Sequence, residues 1–435
     1  MDEAPVIETT IEKLATGGAG LARVGGEVFF VRGALPGERV LTRIVRRARG
    51  VVEAEATEIL DPSPDRVEPP PGPPGALAGA DLAHMRLDAQ RAAKTEILRD
   101  CLSRIGRIVP ADFVEPPEPV GPPWGYRNKI RLHGDGAGLY GMHFPGTRRL
   151  IPLERNHLLP DLFHEEALPL LRRLPPAEEA TIRFDGRGGF LLSLGSRGRG
   201  ADRLAARTPT ALRREPPPAS CAGVLAAGRR AHGKKHLEIR IAGKRFRVHA
   251  GSFFQVNLAE TEGLLSLVVA ALDEAGASPG TPAPLLLDLY GGVGLFSLAL
   301  ADRFERILLV ESGGSEIRDA GPNVRRDPDA AGRVEVIHGA VEEIVAGWSA
   351  RGFPRGDSRE AIALVDPPRE GLAPAALDAL VSLAPRRILY VGCDPATLSR
   401  DAGRLVREGY EPLRARVIDM FPQTSHLETL LVLAR

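Results

Sequence analysis

The spacing of apolar and polar positions changes several times along the chain. From residue 6 to 60, short alternating runs (VIETTIEKL, GEVFFV, RVLTRIVRR, VVEAEATEIL) are separated by the glycine and proline turns ATGGAG and GALPGE. Period-two alternation broken at such short intervals predicts the strands of a small barrel. The next stretch, DPSPDRVEPPPGPPGALAG, is poor in backbone donors and reads as an extended connector. Between Met85 and Ile108 the period turns helical, with Ile97, Leu98, Cys101, Leu102 and Ile105 on one face, so Cys101 is expected in a core. β-type runs return from 126 to about 250 between Arg-, Pro- and Ala-rich loops. Cys221 falls in one of these loops and is given no role.

Asn257 and Glu260 form a capping-box pattern that opens a helix through Leu272. Beyond it, LLLDL, RILLVE, VEVIH, AIALVD and RILYVG alternate with helical patterns and end in LETLLVLA. That alternation predicts a parallel, doubly wound sheet. The expected fold is α/β: a C-terminal Rossmann-like domain over 251–435, an N-terminal β-barrel over 1–61, a proline-rich connector over 62–84 and a β-rich central domain over 85–250. Helix 85–108 is expected to pack on the C-terminal domain.

At 435 residues the chain exceeds one compact core. Its composition, 43% apolar and 26% charged, is that of a globular protein, and a net charge of +1 leaves nucleic-acid binding to local clusters. Residues 229–249 carry eight Arg/Lys against Glu238 alone, and RIVRRAR spans 43–49. Together they make a candidate phosphate track, with Arg229, Arg230, Lys234 and Lys235 as candidate RNA contacts; either run by itself also reads as a solvated face. The three cysteines have no metal-ligand or disulfide spacing, so no metal is expected. The acidic opening MDEAPVIETT is no signal peptide and no apolar run nears the ~18 residues of a membrane span, so a cytoplasmic protein without membrane contact is expected.

LLLDLYGGVGLFSLAL sets a strand, a glycine turn and a helix in one unit. Gly292 and Gly294 allow close backbone approach to a ligand, and Glu311, 20 residues after Gly291, can accept both hydroxyls of a ribose. Asp288 can hold the loop or an ammonium group. A bare tight turn or a nicotinamide dinucleotide would also explain the glycines. Ser297 in place of a third small residue, and the acid ahead of the loop, favour an adenosyl ligand without a pyrophosphate. Asp366 in VDPPREG and Cys393 in YVGCDPATLSRD each follow a strand, and Glu428 opens the last one. A thiol at a strand-to-helix turn is expected to have a lowered pKa, with Arg400 as a possible helper; the alternative is a packing cysteine.

DLYGGVGLFSLAL, VDPPREGL, YVGCDPATLSRD and DMFPQTSHLETLLVL, with SFFQVN (252–257) and YRNKIRLH (126–133), resemble the consecutive motifs of the bacterial RNA uracil-5-methyltransferase family. The N-terminal segment resembles the TRAM domain carried by its ribosomal-RNA members. The resemblance implies S-adenosylmethionine as cofactor, held by Gln255, Tyr290, Glu311 and Asp366. It implies Cys393 as nucleophile and Glu428 as proton-abstracting base, with 5-methyluridine as product. Ribosomal RNA is the favoured partner over tRNA, and a monomer is expected. A non-catalytic RNA-binding factor, or methylation of cytosine or a small molecule, stays open. Asp394 replaces the commoner Asn, a change the turn is expected to tolerate. Many members hold a [4Fe–4S] cluster on four cysteines; here Pro71, Leu77, Ala80 and Asn156 stand at those places, so no cluster is expected and proline-rich packing is expected to hold the connector.

Overall fold

The computed structural model describes residues 6–143, 147, 149–351, 353 and 358–435; the acidic opening residues 1–5 lie outside the described residues. Six strands between Val6 and Asp61 form one sheet that curls around Ile11, Ala22, Phe29, Val31, Val40, Val52 and Ala54. Alternation places these side chains inward and the charged ones outward.

A seven-stranded sheet follows, from Lys129–Gly134 to Arg229–Gly233, over a core that includes Leu132, Phe163, Phe184 and Phe190. Cys221 does not lie in a loop. It opens the strand Cys221–Ala226 and is buried in this core, because the preceding PPPAS ends where parallel pairing with Phe190–Gly195 begins.

The C-terminal sheet has eight strands. In spatial order they are Val334–His338, Phe304–Glu311, Ala283–Leu289, Ile362–Val365, Arg387–Gly392, Glu428–Ala434, Glu411–Ile418 and the short edge strand Val114–Glu115. The first five pair in parallel, as doubly wound alternation requires. The last segment departs from that expectation: Glu428–Ala434 inserts antiparallel between Arg387–Gly392 and Glu411–Ile418. Glu411–Ile418 (EPLRARVI) escapes a sequence reading because its charged residues interrupt the apolar run.

Chain order and packing order differ. The hairpin His236–Ile241/Lys244–His249 buries Leu237, Ile239, Phe246 and Val248 in the same core as Leu286, Ile307 and Leu389. The hairpin therefore packs with the C-terminal sheet although it precedes residue 250, and Leu191 and Leu225 of the central sheet join the same core. The helix Leu87–Cys101, extended by a wide turn through Gly106, packs Ile97, Leu98, Cys101 and Leu102 with Leu398, Ala402 and Leu405 of the helix Pro395–Arg407. Asn257 caps Leu258–Glu274, accepting from the Glu260 N–H at 3.3 Å. The expected reciprocal bond is absent: Glu260 Oε1 instead accepts from the Val120 and Gly121 N–H groups, each at 2.8 Å, and ties the upstream chain to this helix.

At the connector, Asn156 Nδ2 donates to the carbonyls of Gly75 and Ala78 at 3.1 and 2.9 Å, and its Oδ1 accepts from Leu158 N at 3.1 Å. Ala80 packs with Ala83, Tyr126 and Leu158, and Leu77 packs against that group. Side-chain hydrogen bonds and this small apolar cluster, more than the prolines, hold the segment. Among the described residues no group of three or more His, Cys, Asp or Glu side chains is placed to hold a metal ion, and no helix is long and apolar enough to cross a membrane.

Candidate active site

Strand ends of the C-terminal sheet and the segment 253–256 enclose a cavity of about 940 Å³. Gln255, Tyr290, Gly292, Glu311, Asp366, Cys393 and Glu428 all line it. Parallel strands bring Tyr290, Glu311, Asp366 and Cys393 there, since each follows or ends a strand at its carboxyl end. Glu428 arrives from the opposite direction: its strand is antiparallel, so its first residue lies beside the last residues of Arg387–Gly392.

The glycine turn is set by its backbone. Tyr290 and Gly292 have φ of +63° and +58°, and a Cβ at Gly292 would meet nothing within 4 Å, which leaves that side open to a ligand. Gly294 does not line the cavity. It starts the short helix Leu295–Ala299 at φ +93°, where a Cβ would press on Leu298 at 3.0 Å. Glu311 accepts from Gly292 N at 2.9 Å and Gly313 N at 2.5 Å, clamping the loop to the next strand. Asp288 is fully buried and holds the loop's helix: its Oδ2 accepts the backbone N–H of Ser297 at 3.1 Å and also its hydroxyl. Ser297 is thus present for a hydrogen bond a third glycine could not make. Asp288 Oδ1 is buried without a partner.

Negative charge dominates the cavity: Glu311, Glu316, Glu342, Asp366, Glu370 and Glu428 line it against Arg369 and Arg400. Burial, reinforced by Asp288 and Glu311, pushes Asp366 up to about 7. Glu428 is raised well above the usual carboxylate range by burial and then by Asp366, with Arg369 opposing. Burial also pushes Asp288 up to about 6. Carboxylates crowded into low dielectric in this way favour a cationic ligand.

The Cys393 thiol departs from expectation. Burial, and after it the charge of Glu428, push it up to about 11, while Arg369 opposes. The helix that follows does not offset this, because the Asp394 carboxylate caps it, accepting from Ala396 N and Thr397 N at 2.9 Å each. Asp394 therefore preserves the turn. Arg400 bonds to Asp401 and to the carbonyls of Glu370 and Leu372, so it holds the loop after Asp366. Asp401 helps, accepting from Leu372 N at 2.8 Å and Tyr390 OH at 2.9 Å.

With this geometry in view, comparison with known proteins is direct. The family model described as tRNA (Uracil-5-)-methyltransferase matches residues 231–435, and the TRAM domain model matches 5–57. An uncharacterised RNA methyltransferase of Streptomyces avermitilis is 33% identical over 98% of this chain and 97% of its own. A 23S rRNA (uracil(1939)-C(5))-methyltransferase RlmD of Alkalilimnicola ehrlichii is 32% identical over 98% of this chain and 96% of its own. The chain belongs to the RNA uracil-5-methyltransferase family. The fold agrees: the tRNA (uracil-54, C5)-methyltransferase of Pyrococcus abyssi, solved with S-adenosyl-L-homocysteine, superposes with a TM-score of 0.73 at 21% identity, covering 98% of this chain and 99% of its own.

For a member of this family, two cavity residues stand out that the motifs contain but sequence reasoning did not single out. Arg369, in VDPPREG, is the cation that opposes the raised pKa values of both Cys393 and Glu428, and it lies 3.3 Å from His426 Nδ1. Phe253, in SFFQVN, is 57% exposed at the cavity wall. The doubled aromatic Phe253–Phe254 ahead of Gln255 is the signal that could have found it, since neighbouring residues of an extended segment point to opposite sides.

The basic runs behave differently from each other. In RIVRRAR three of the four arginines are paired at the surface, Arg43 with Glu55, Arg46 with Glu53 and Arg47 with Glu27, while Arg49 is exposed without an ion pair among the described residues. In the second run, Arg247 pairs with Asp319 and Lys244 with Asp327 and Asp329. Arg229, Arg230, Lys234 and Lys235 are exposed, form no ion pair among the described residues and do not line the cavity.

Proposed function

We propose that this RNA uracil-5-methyltransferase uses Cys393 as covalent nucleophile and Glu428 as base, with ribosomal RNA as substrate. The observation that carries the mechanism is the meeting of Cys393, Glu428 and Asp366 in one cavity beside the glycine loop. S-adenosylmethionine supplies the electrophilic methyl group and the positive sulfur that this carboxylate-rich cavity favours. Gln255, Tyr290, Gly292, Glu311 and Asp366, which line the cavity, would hold it.

Uracil carbon 5 is a poor nucleophile. The Cys393 thiolate adds to carbon 6, the ring electrons move to the carbon 4 oxygen, and carbon 5 becomes able to take the methyl group. Glu428 then accepts the carbon 5 proton, and the sulfur–carbon 6 bond breaks to restore the ring. A carboxylate with a raised pKa suits proton transfer from carbon better than one held low. Phe253 offers a stacking face for a base flipped from its helix, an extrusion that costs a few kcal/mol.

Ribosomal RNA is favoured by the likeness over nearly the whole chain to RlmD. The Pyrococcus abyssi fold neighbour keeps tRNA as the second reading. Labelled cofactor offered with ribosomal RNA and with tRNA separates the two. Two variants test the chemistry. Cys393→Ala should abolish methylation while cofactor binding stays near wild type. Glu428→Gln should accumulate an already methylated covalent complex, seen as a shifted band on a denaturing gel. Turnover by the first variant, or neither accumulation nor rate loss in the second, would overturn the mechanism.

A further inference from the structure

The helix Gly198–Arg214 carries RGRGADRLAARTPTALRR between 197 and 214, six arginines against the single acid Asp202. Leu204, Thr208 and Leu212 are its buried residues, packed on the central core through Leu204 and Leu212. At about 100° per residue, Arg199, Arg203, Arg207, Arg213 and Arg214 fall within about 120° of arc, centred opposite that buried face. All five are exposed, and none forms an ion pair among the described residues.

A merely solvated helix alternates signs, because Glu–Arg pairs at i,i+4 stabilise it and like charges at that spacing cost a few tenths of a kcal/mol each. Here Arg199, Arg203 and Arg207 repeat at i,i+4, and the helix's single acid, the exposed Asp202 at the edge of the same face, forms an ion pair with none of them among the described residues. The adjacent strand Arg229–Gly233 adds the exposed Arg229 and Arg230. The helix is about 25 Å long, so its arginine row matches several successive phosphates of a nucleic acid.

We infer that this arginine face is a docking surface for the RNA backbone at a place separate from the cavity that takes the target uridine. This rests on RNA being the substrate. None of its arginines lines the cavity, so it adds affinity and orientation without touching the reacting atoms. A membrane surface is the poorer partner, since the apolar face such a helix would insert is already spent on the central core.

The test is the triple variant R199Q/R203Q/R207Q, which keeps helix-favouring, polar side chains at exposed positions. For a long folded RNA substrate, KM at about 0.15 M salt should rise about tenfold or more, and the slope of log affinity against log salt should shrink by about 2. The kcat, the melting temperature and the KM for a short oligonucleotide that fills only the cavity should stay at wild-type values. If the wild type methylates the long RNA and the variant matches its KM and salt slope, the docking surface is wrong while the RNA reading stands. If the wild type methylates no RNA, both fall. Loss of binding to anionic phosphatidylserine vesicles with RNA binding intact would also overturn the inference.

Discussion

Arg369 is the exposed end of a buried electrostatic problem. In the proposed mechanism Cys393 acts as a thiolate and Glu428 as a carboxylate, yet burial pushes both pKa values up, aided by Glu428 at the thiol and by Asp366 at Glu428, and Arg369 is the lining cation that opposes this for both. Activity should therefore rise with pH through neutrality. Removing the guanidinium raises both pKa values further, so the sign is toward alkali. In Arg369→Gln the rising limb of the kcat/KM profile should move up by roughly one pH unit, with activity partly restored at high pH. A uniform loss with an unmoved midpoint would mean that Arg369 acts through binding alone. Cys393, Glu428 and Asp366 are legible as residues because each stands in a compact motif at a strand end. The thiol's pKa is not, because a strand-to-helix turn promises free N–H groups that Asp394 has already taken.

The loop between Ile418 and Glu428 delivers Phe421 and Glu428 to the cavity, and the helix Leu87–Cys101 holds it. Lys94 Nζ donates to Asp419 Oδ1 at 2.8 Å and to the Phe421 carbonyl at 3.0 Å; Arg91 Nε donates to Asp419 Oδ2 at 2.9 Å. Gln90 and Gln423 bond reciprocally through side chain and backbone. Lys94 is 1% exposed and Asp419 likewise buried, so removing the ammonium leaves a buried carboxylate short of a partner. Lys94→Met should cost about 3 kcal/mol or more in urea unfolding. A loss below about 1 kcal/mol would show that Arg91 and water suffice. The helix's apolar stripe is plain in the sequence; its buried polar stripe is not, because Lys94 and Asp419 are 325 residues apart.

Across the whole molecule, segments distant in the chain share one core. Val114–Glu115 joins the edge of the C-terminal sheet, and the helix before it packs on the helix after Cys393. At the connector, where the resemblance would place cluster ligands, Asn156 forms hydrogen bonds, and three cysteines, two of them buried in separate cores, cannot supply four ligands. Anaerobically purified protein should show no cluster absorbance and no stoichiometric iron; about four irons per chain would contradict this.

The sequence by itself determined the elements and the chemistry they carry. Side-chain period, turn residues and strand-end motifs are written within ten to twenty neighbouring residues, so the barrel strands, the α/β alternation, the glycine turn and the Cys393 and Glu428 segments could all be read from it. Tertiary structure alone decided the rest. It set the antiparallel insertion that brings Glu428 beside the Cys393 strand and the direction of the thiol's pKa. It also decided which arginines are neutralised and which stay free, and the burial of Lys94. Each of these depends on burial and on partners far along the chain, and local patterning does not encode either.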